Sequence, residues 1–361
     1  MKWSLYIGKP AGIKVFIHWT FILLVVWLSW MHLRQGHGLN EILMGLFFLI
    51  FLFACVTLHE FGHALAARKY GIDTQDINLL PIGGVARLEC MPEDPKQELV
   101  VAAAGPAVNV AIAIVLFSLL LITDQGQIDI SHHVTGSNFL SDLLIINIIL
   151  VAFNLIPAFP MDGGRMLRAF LAFRMKRAKA TQIAASVGQL LAIVFTMFGL
   201  FYNPFLLFIG VFVFLGAGAE SRQVSLTESL KEIKATDIMT GNFQSISLSA
   251  TVSHAASVMQ KNQSSELVVT NGDIFIGMIS YQSVINALQA GKTEYPAVEL
   301  IQEDVITLNQ ETLLVELIDN IRPNYQSLYA VVREDKLLGV VTEKELNNLL
   351  LERQARLSQQ E

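Results

Sequence analysis

The chain has 361 residues, of which 53% are hydrophobic and only 16% are charged, with a net charge of −6 at pH 7. An average soluble protein has about 25% charged residues, so this composition argues against a single soluble globule. The acidic balance also argues against a nucleic-acid-binding protein, which needs a basic surface, and two cysteines cannot form a disulfide framework.

Long apolar runs occur only in the first 220 residues, and each is close to the roughly 17 to 25 residues that a membrane-spanning helix needs. They lie at about 13–31, 42–67, 99–122, 141–159, 181–201 and 203–219. The fourth and sixth are the weakest, because prolines interrupt one and open the other. The runs predict six transmembrane helices.

Lysine and arginine in short connections mark the cytoplasmic side of a membrane protein. Positive charges precede the first run and lie between runs two and three and between runs four and five, whereas the connection 123–140 has none. We therefore expect a multi-pass protein of the cell membrane with both termini in the cytoplasm.

The second apolar run contains His59-Glu-Phe-Gly-His63, an H-E-x-x-H pattern. On an α-helix, residues four apart differ by about 40° in direction and about 6 Å in rise, so both imidazoles can reach one Zn²⁺ while Glu60 acts on its water. Ionisable groups at membrane depth are rare and usually functional, because desolvating them costs several kcal/mol. The pattern predicts two zinc ligands and a general base. The competing interpretation is two histidines that only pack against neighbouring helices.

Residues 154–165 read Asn-Leu-Ile-Pro-Ala-Phe-Pro-Met-Asp-Gly-Gly-Arg and break an otherwise apolar helix. Irregular backbone at membrane depth is tolerated where it is buried in protein or lines a water-filled cavity. A catalytic zinc usually takes three protein ligands and leaves the fourth position for water. Asp162 is therefore the candidate third ligand, and the competing interpretation is a turn or helix-capping aspartate.

Two further features of the first part have less specific interpretations. Residues 71–95, with Pro81, Gly83 and Gly84, have a hairpin-prone composition that also fits a plain connector. Asn109 and Asn147, in the third and fourth apolar runs, are expected to hydrogen-bond between helices.

Residues 221–361 carry 18 acidic and 11 basic side chains and contain an internal repeat of about sixty residues. A β-branched segment at 245–248, a helix through Met259 and two further strand-like segments recur from Val305, with a helix through Ile321. Alternating short strands and amphipathic helices predict a small α/β module in tandem. We therefore expect two domains, residues 1–222 and 223–361.

Four ordered motifs of the first part resemble the site-2 protease family (peptidase family M50) of intramembrane zinc metalloproteases. They are His59-Glu-Phe-Gly-His63 followed by Ala64-Leu-Ala-Ala-Arg68, Leu80-Pro-Ile-Gly-Gly-Val85, Ala104-Gly-Pro-Ala-Val-Asn109 and Phe153-Asn-Leu-Ile-Pro-Ala-Phe-Pro-Met-Asp-Gly-Gly-Arg165. The second part, from Thr236-Asp-Ile-Met-Thr, resembles a pair of CBS motifs at about 236–290 and 297–351. The implied fold is a multi-pass α-helical membrane protein with six transmembrane helices and a C-terminal α/β tandem CBS domain.

The resemblance implies that His59, His63 and Asp162 bind one Zn²⁺ per chain, that Glu60 is the general base, and that Asn154 orients the substrate or the oxyanion. It implies an endopeptidase that cleaves the transmembrane segments of single-pass membrane proteins (regulated intramembrane proteolysis), modulated by the CBS domains. A substrate helix must unwind first, and the hairpin-prone segment 71–95 could pair with it as an added strand.

Two alternatives remain beside the protease. One is a CBS-regulated divalent-metal transporter, in which the intramembrane histidines and aspartate form a transit site. The other is an inactive scaffold that keeps the fold. The presence of Glu60 beside the metal ligands favours hydrolysis, because transport needs exchangeable binding rather than a base.

CBS pairs commonly bind adenine nucleotides and hold the ribose with the Asp of a Ser/Thr-x-x-Asp pattern. Here the corresponding stretches are Ser280-Tyr-Gln-Ser283 and Thr342-Glu-Lys-Glu345, so that Ser283 and Glu345 stand in place of the aspartate. Two expectations therefore stay open, an adenine-nucleotide site and a ligand-free module for docking or dimerisation. The resemblance also implies a homodimer through the CBS domains.

Overall fold

The computed structural model describes residues 4–81, 83–123, 139–302, 305–316 and 327–358. Two compact units divide the chain, Met1–Ser221 and Arg222–Glu361. Most of the connection 123–140 and the end of the second repeat's predicted helix, through Ile321, lie outside the described residues.

The described residues of the first unit form six long or medium apolar helices, one short polar helix and four strands. The strands are β1 (Ser4–Gly8), β2 (Lys14–His18), β3 (Thr74–Leu80) and β4 (Gly83–Leu88). The described helices that begin in this unit are α1 (Phe21–Arg34), α2 (Leu39–Arg68), α3 (Pro95–Ile122), α4 (Phe139–Asn154), α5 (Asp162–Ala172), α6 (Arg177–Phe201) and α7 (Pro204–Leu230), of which α7 ends beyond the unit boundary.

Four of the described helices, α2, α3, α6 and α7, are long and apolar enough to cross a membrane. Their large apolar side chains are widely exposed, as at Phe201 and Phe208, which is the expected surface for contact with lipid. α1 and α4 match two more of the predicted runs but have only 14 and 16 residues. The membrane-protein fold class is confirmed, and the count of six spans stays a prediction.

The prediction that residues 13–31 form one transmembrane helix is wrong for the beginning of this run. Residues Lys14–His18 form strand β2, and the helix begins only at Phe21. The reason is that this stretch pairs with β3, from Lys14 opposite Asp76 to Ile17 opposite Leu79. A short apolar run does not by itself distinguish a strand from a helix, and here the available partner strand decides.

The four strands form one sheet in the order β1-β2-β3-β4. β3 and β4 are an antiparallel hairpin, so the hairpin interpretation of residues 71–95 is confirmed over the connector. One face of the sheet packs on α2, where buried Ile77 and Leu79 meet Phe53 and Ala64. This packing places the hairpin beside the H-E-x-x-H segment of α2.

The second unit has a six-stranded sheet in the order β5-β6-β7-β10-β9-β8. The strands are β5 (Ser245–Ser247), β6 (Glu266–Asn271), β7 (Ile274–Ser280), β8 (Thr307–Asn309), β9 (Leu328–Arg333) and β10 (Lys336–Thr342). The helices are α8 (Ala235–Ile238), α9 (Val252–Asn262), α10 (Tyr281–Gln289) and α11 (Glu343–Ser358). The two repeats meet where β7 and β10 pair, at Ile274 and Lys336.

Each repeat of the second unit has its own apolar core. One core contains Val252, Leu267 and Ile279, and the other contains Leu314, Val331 and Val341. The predicted tandem α/β module is therefore confirmed in both its repeat and its strand pattern.

Candidate active site

His59 and His63 lie on one face of α2, as the four-residue spacing predicts. Both side chains are buried, and their Nε2 atoms are 3.1 Å apart. Two imidazole nitrogens this close point at the same small volume.

Asp162 is the first residue of α5 and turns its carboxylate to the same point. Its Oδ2 is 3.2 Å from His59 Nε2 and 3.1 Å from His63 Nε2. Gly163 and Gly164 let α5 begin against the preceding loop, because a Cβ on either would collide with the backbone of Leu155 or Ala158. Asp162 does not cap the helix, since the N-cap is Met161.

The three ligand atoms fit a tetrahedral zinc ion. Bonds of about 2.0–2.1 Å in tetrahedral geometry separate two ligands by about 3.3 Å, and the three separations here are 3.1, 3.1 and 3.2 Å. Two imidazoles and one carboxylate are also a donor set of catalytic zinc sites, with one position left open.

α3 shapes the site through its backbone. The Val101 carbonyl oxygen lies 2.8 Å from His63 Nδ1, so this nitrogen carries the proton and Nε2 is left with its lone pair. Gly105, one turn later, packs directly on the two imidazoles, and a Cβ there would lie 2.7 Å from His59 Nε2. Only glycine leaves room for the histidines at this point of the helix.

Glu60 is held by the β-hairpin. Its Oε2 accepts a hydrogen bond from the backbone N–H of Ala86 on β4, with a donor–acceptor distance of 3.0 Å. Its Cγ packs on Gly84, where an added Cβ would lie 2.7 Å away. The hairpin therefore fixes the side chain that the sequence identifies as the base.

A cavity of about 220 Å³ adjoins these groups. His59, Glu60 and Asn154 line it, together with Asn109 and apolar side chains of α2, α4 and α7. The structure thus places all five predicted site residues together: His59, Glu60 and Asn154 on the cavity, and His63 and Asp162 directly against His59.

Asn109 departs from its expected role. It is 1% exposed, and neither its Oδ1 nor its Nδ2 has a hydrogen-bond partner among the described residues. Asn147, by contrast, donates to the Leu143 carbonyl of its own helix at 2.8 Å and contacts Cys55 Sγ of α2 at 3.5 Å. The expected interhelical hydrogen bond is therefore wrong for Asn109, which faces the cavity.

A second polar cluster, which sequence reasoning missed, lies farther along α5. Arg168, 1% exposed, donates from Nε to Glu98 of α3 at 2.7 Å and from Nη1 to Glu220 of α7 at 2.6 Å. Its Nη2 lies 2.5 Å from the same Glu98 oxygen, and its guanidinium lies 5.1 Å from the Phe159 ring centroid. The only signal in the sequence was the presence of charges in a largely apolar unit.

Comparison with known families gives two matches that together cover most of the chain. The profile described as peptidase family M50 matches residues 47–135 and 123–195. The profile of the CBS domain matches residues 235–290 and 297–352, which confirms the predicted pair of CBS domains.

Two similar proteins come from Methanocaldococcus jannaschii. One is a zinc metalloprotease that is 34% identical over 347 residues, which is 96% of each chain. The other is the solved structure of a site-2 protease, 39% identical, which covers 61% of this chain and 95% of its own, with a TM-score of 0.45.

Proposed function

The chain belongs to peptidase family M50 and is a membrane metalloprotease with a CBS domain pair, and from this premise we propose that it is an intramembrane zinc endopeptidase. Its proposed substrates are the transmembrane segments of single-pass membrane proteins. The observation that carries the proposal is the triangle formed by His59, His63 and Asp162, with Glu60 beside it on a cavity walled by apolar helices. These three residues would hold one Zn²⁺ per chain.

The chemistry follows from the positions of Glu60 and Asn154. When bound, Zn²⁺ polarises the scissile carbonyl and makes a water easier to deprotonate. The Ala86 N–H occupies Oε2 of Glu60, so Oε1 is the atom that takes the water proton and passes it to the leaving amine. Asn154, on the same cavity, orients the substrate carbonyl or the oxyanion that develops from it.

Two features of the first unit support a transmembrane substrate. His59 lies nine residues before Arg68, the last residue of α2, which at about 1.5 Å per residue puts the site about 14 Å inside that helix end. A substrate helix must unwind there, because its peptide groups are satisfied internally. Among the described residues β4 pairs with β3 alone, and its opposite edge faces Glu60, so an unwound segment can add to that edge as a strand.

The test compares the wild-type protein with Glu60→Gln in detergent, on a panel of synthetic transmembrane segments, with zinc measured on both. We expect cleavage by the wild type only and equal zinc content, because the substitution keeps the ligands and removes the base. Zinc in both proteins, rapid zinc exchange and no cleavage would instead favour the divalent-metal transporter.

The second unit is proposed as a modulator of the protease, which divides the chain into functional domains at about residue 222. A polar cleft of about 640 Å³ supports binding of a small ligand, and Thr342 and Glu266 are on its wall. The residues expected to contact a ribose hydrogen-bond to each other within the protein. Ser280 and Ser283 share a hydrogen bond at 2.7 Å, and Thr342 donates to the Glu345 carboxylate. An adenine nucleotide is the first ligand to test.

Three further proposals for this protein concern nucleotide binding, dimerisation and topology, and each has a simple test. AMP and ATP added to the cleavage assay should change its rate if the cleft binds nucleotides, and no change with either favours a ligand-free docking module. Light scattering tests the proposed homodimer. Labelling of single cysteines placed near each terminus tests the proposal that both termini and the second unit are cytoplasmic, which the distribution of Lys and Arg supports.

A further inference from the structure

One face of α3 is turned towards the site over three successive helical turns. Val101, Gly105 and Asn109 follow one another at intervals of four residues, the spacing that keeps side chains on one side of a helix. The first orients His63 and the second packs on both imidazoles. Asn109 is the third, and it lines the cavity beside His59 and Glu60. It is the member of the series with no role in holding the metal ligands.

The amide of Asn109 is buried without a hydrogen-bond partner from the protein's described residues. It is 1% exposed, and both of its polar atoms lack a hydrogen-bond partner among the described residues. A buried polar group left without a partner destabilises the protein, because its desolvation is not compensated. Asn147, an equally buried amide of the same unit, leaves only its Oδ1 without a partner among the described residues, because its Nδ2 donates to the carbonyl of Leu143. An amide that is kept at such a cost, at the wall of a cavity, indicates a ligand that supplies the missing partners.

We propose that Asn109 is a substrate-binding residue that recognises the unwound peptide backbone next to the scissile bond. Its Nδ2 donates to a peptide carbonyl and its Oδ1 accepts from a peptide N–H, which are the two groups that one extended residue offers. In an intact substrate helix both groups are already hydrogen-bonded. Asn109 therefore stabilises the unwound segment and not the helix. This inference rests on the proposed protease function and adds a binding residue to it.

The experiment uses the full chain, loaded with zinc in detergent, and two inhibitors that bind metal through a hydroxamate. A peptidyl hydroxamate also presents peptide groups to the cavity, whereas acetohydroxamate presents none. For Asn109→Leu we expect at least about tenfold weaker affinity for the peptidyl hydroxamate, because leucine removes both hydrogen bonds and one alone is worth up to about that factor. Affinity for acetohydroxamate should be unchanged. The thermal midpoint should stay equal or rise, because an unpaired amide is replaced by an apolar group of the same branched shape.

Asn147→Leu is the matched control, because it removes a buried amide that lies away from the cavity. It should lower the thermal midpoint and leave both affinities at the wild-type values. The same selective loss is expected for Asn109→Ala, which serves if the leucine variant does not fold.

Equal affinity of the wild type and the Asn109 variants for the peptidyl hydroxamate would overturn the inference, as would an equal loss for both inhibitors. Failure of the proposed function has a different signature, which is a zinc-loaded wild type that binds neither inhibitor and cleaves no segment of the panel.

Discussion

Among the described residues of the first unit, two of the buried polar clusters draw residues from both α3 and α5. In the Glu98–Arg168–Glu220 cluster, the positive charge of Arg168 is matched by two carboxylates. In the metal-site cluster, His59 Nδ1 and the Asn109 amide have no partner among the described residues. The difference shows that burial alone does not mark a functional group: the compensated cluster has its charges paired within the protein, whereas we propose that the uncompensated one pairs with ligands.

The two clusters are joined by α5, which begins with Asp162 and carries Arg168 less than two turns later. Glu98 and Glu220 fix Arg168 to α3 and α7, so they also fix the helix that presents the aspartate. The Glu98–Arg168–Glu220 cluster therefore supports the metal-site cluster, and each can be disrupted by its own substitutions.

Gly105→Ala should break the metal site and leave the other cluster intact, with the largest effect of the series. A Cβ at this position would collide with His63 and lie 2.7 Å from His59 Nε2, so the imidazoles must move. Zinc content should fall to near zero and cleavage to background, measured by metal analysis and the segment assay. Gly45→Ala, whose Cβ would meet the side chains of His32 and Leu28 away from the metal ligands, is the control. A zinc-loaded Gly105→Ala would refute this geometry.

Arg168→Met should break the compensated cluster. It leaves Glu98, which is 2% exposed, without its main partner, and an uncompensated buried charge costs about 3–5 kcal/mol. The free energy of unfolding should fall by about that amount, as measured by denaturation in detergent. The double variant Glu98→Gln, Arg168→Met should recover most of the loss, and a double variant no more stable than the single one would contradict the charge argument.

Gly84→Ala should separate the base from the metal. The new Cβ would lie 2.7 Å from Glu60 Cγ, so the carboxylate shifts while His59, His63 and Asp162 keep their places. We expect kcat to fall by about 10- to 100-fold, the effect of a misplaced general base, with unchanged zinc content. Gly8→Ala, on β1 of the same sheet, should match the wild type, because its new Cβ would lie no closer than 4.0 Å to a neighbouring atom, Pro10 Cδ. Equal kcat for both variants would contradict the role of the hairpin.

Glu266, a buried carboxylate of the second unit, gives a third case to compare with the two clusters. Its described contacts are hydrogen bonds, so the expected effect is smaller. Glu266 is buried, and burial raises its pKa although Ser327 donates to it at 2.9 Å. Because the pKa of Glu266 is higher in the folded state than its unfolded value of 4.5, protonated Glu266 stabilises the fold below pH 4.5. This stabilisation is lost as the pH rises through the pKa of the folded state. The thermal midpoint of the second unit should therefore decline over that interval.

Glu266→Gln should flatten this decline, because the amide does not ionise. Thermal melts from pH 4 to pH 8 measure it, with exposed Glu299→Gln as the control. A wild-type profile that is flat, or that rises with pH in a Glu266-dependent way, would show that burial does not dominate at this residue.

Much of the site was predictable because its chemistry is local in sequence. Four-residue spacing on a helix gathers His59 and His63, and two prolines followed by Asp-Gly-Gly predict an irregular segment that ends in a helix start. The CBS repeats were visible as a recurring strand and helix pattern for the same reason. In each case a short stretch contains both the residues and the geometry.

The remaining features depend on contacts between distant segments. Arg168 is 70 residues from Glu98 and 52 from Glu220, and no spacing rule connects them. The donor that holds Glu60 is a backbone N–H, which has no sequence signature at Ala86. The strand at Lys14–His18 was hidden in an apolar run because only its pairing with β3 distinguishes it from a helix.

The most direct test of the account is the zinc stoichiometry of purified wild-type protein and of Asp162→Ala, each with its fold checked by circular dichroism. We predict one zinc per chain for the wild type and a loss of most of the zinc in the variant, because the third corner of the ligand triangle is removed. Equal zinc in two equally folded proteins would remove Asp162 from the ligand set and contradict the proposed metal centre.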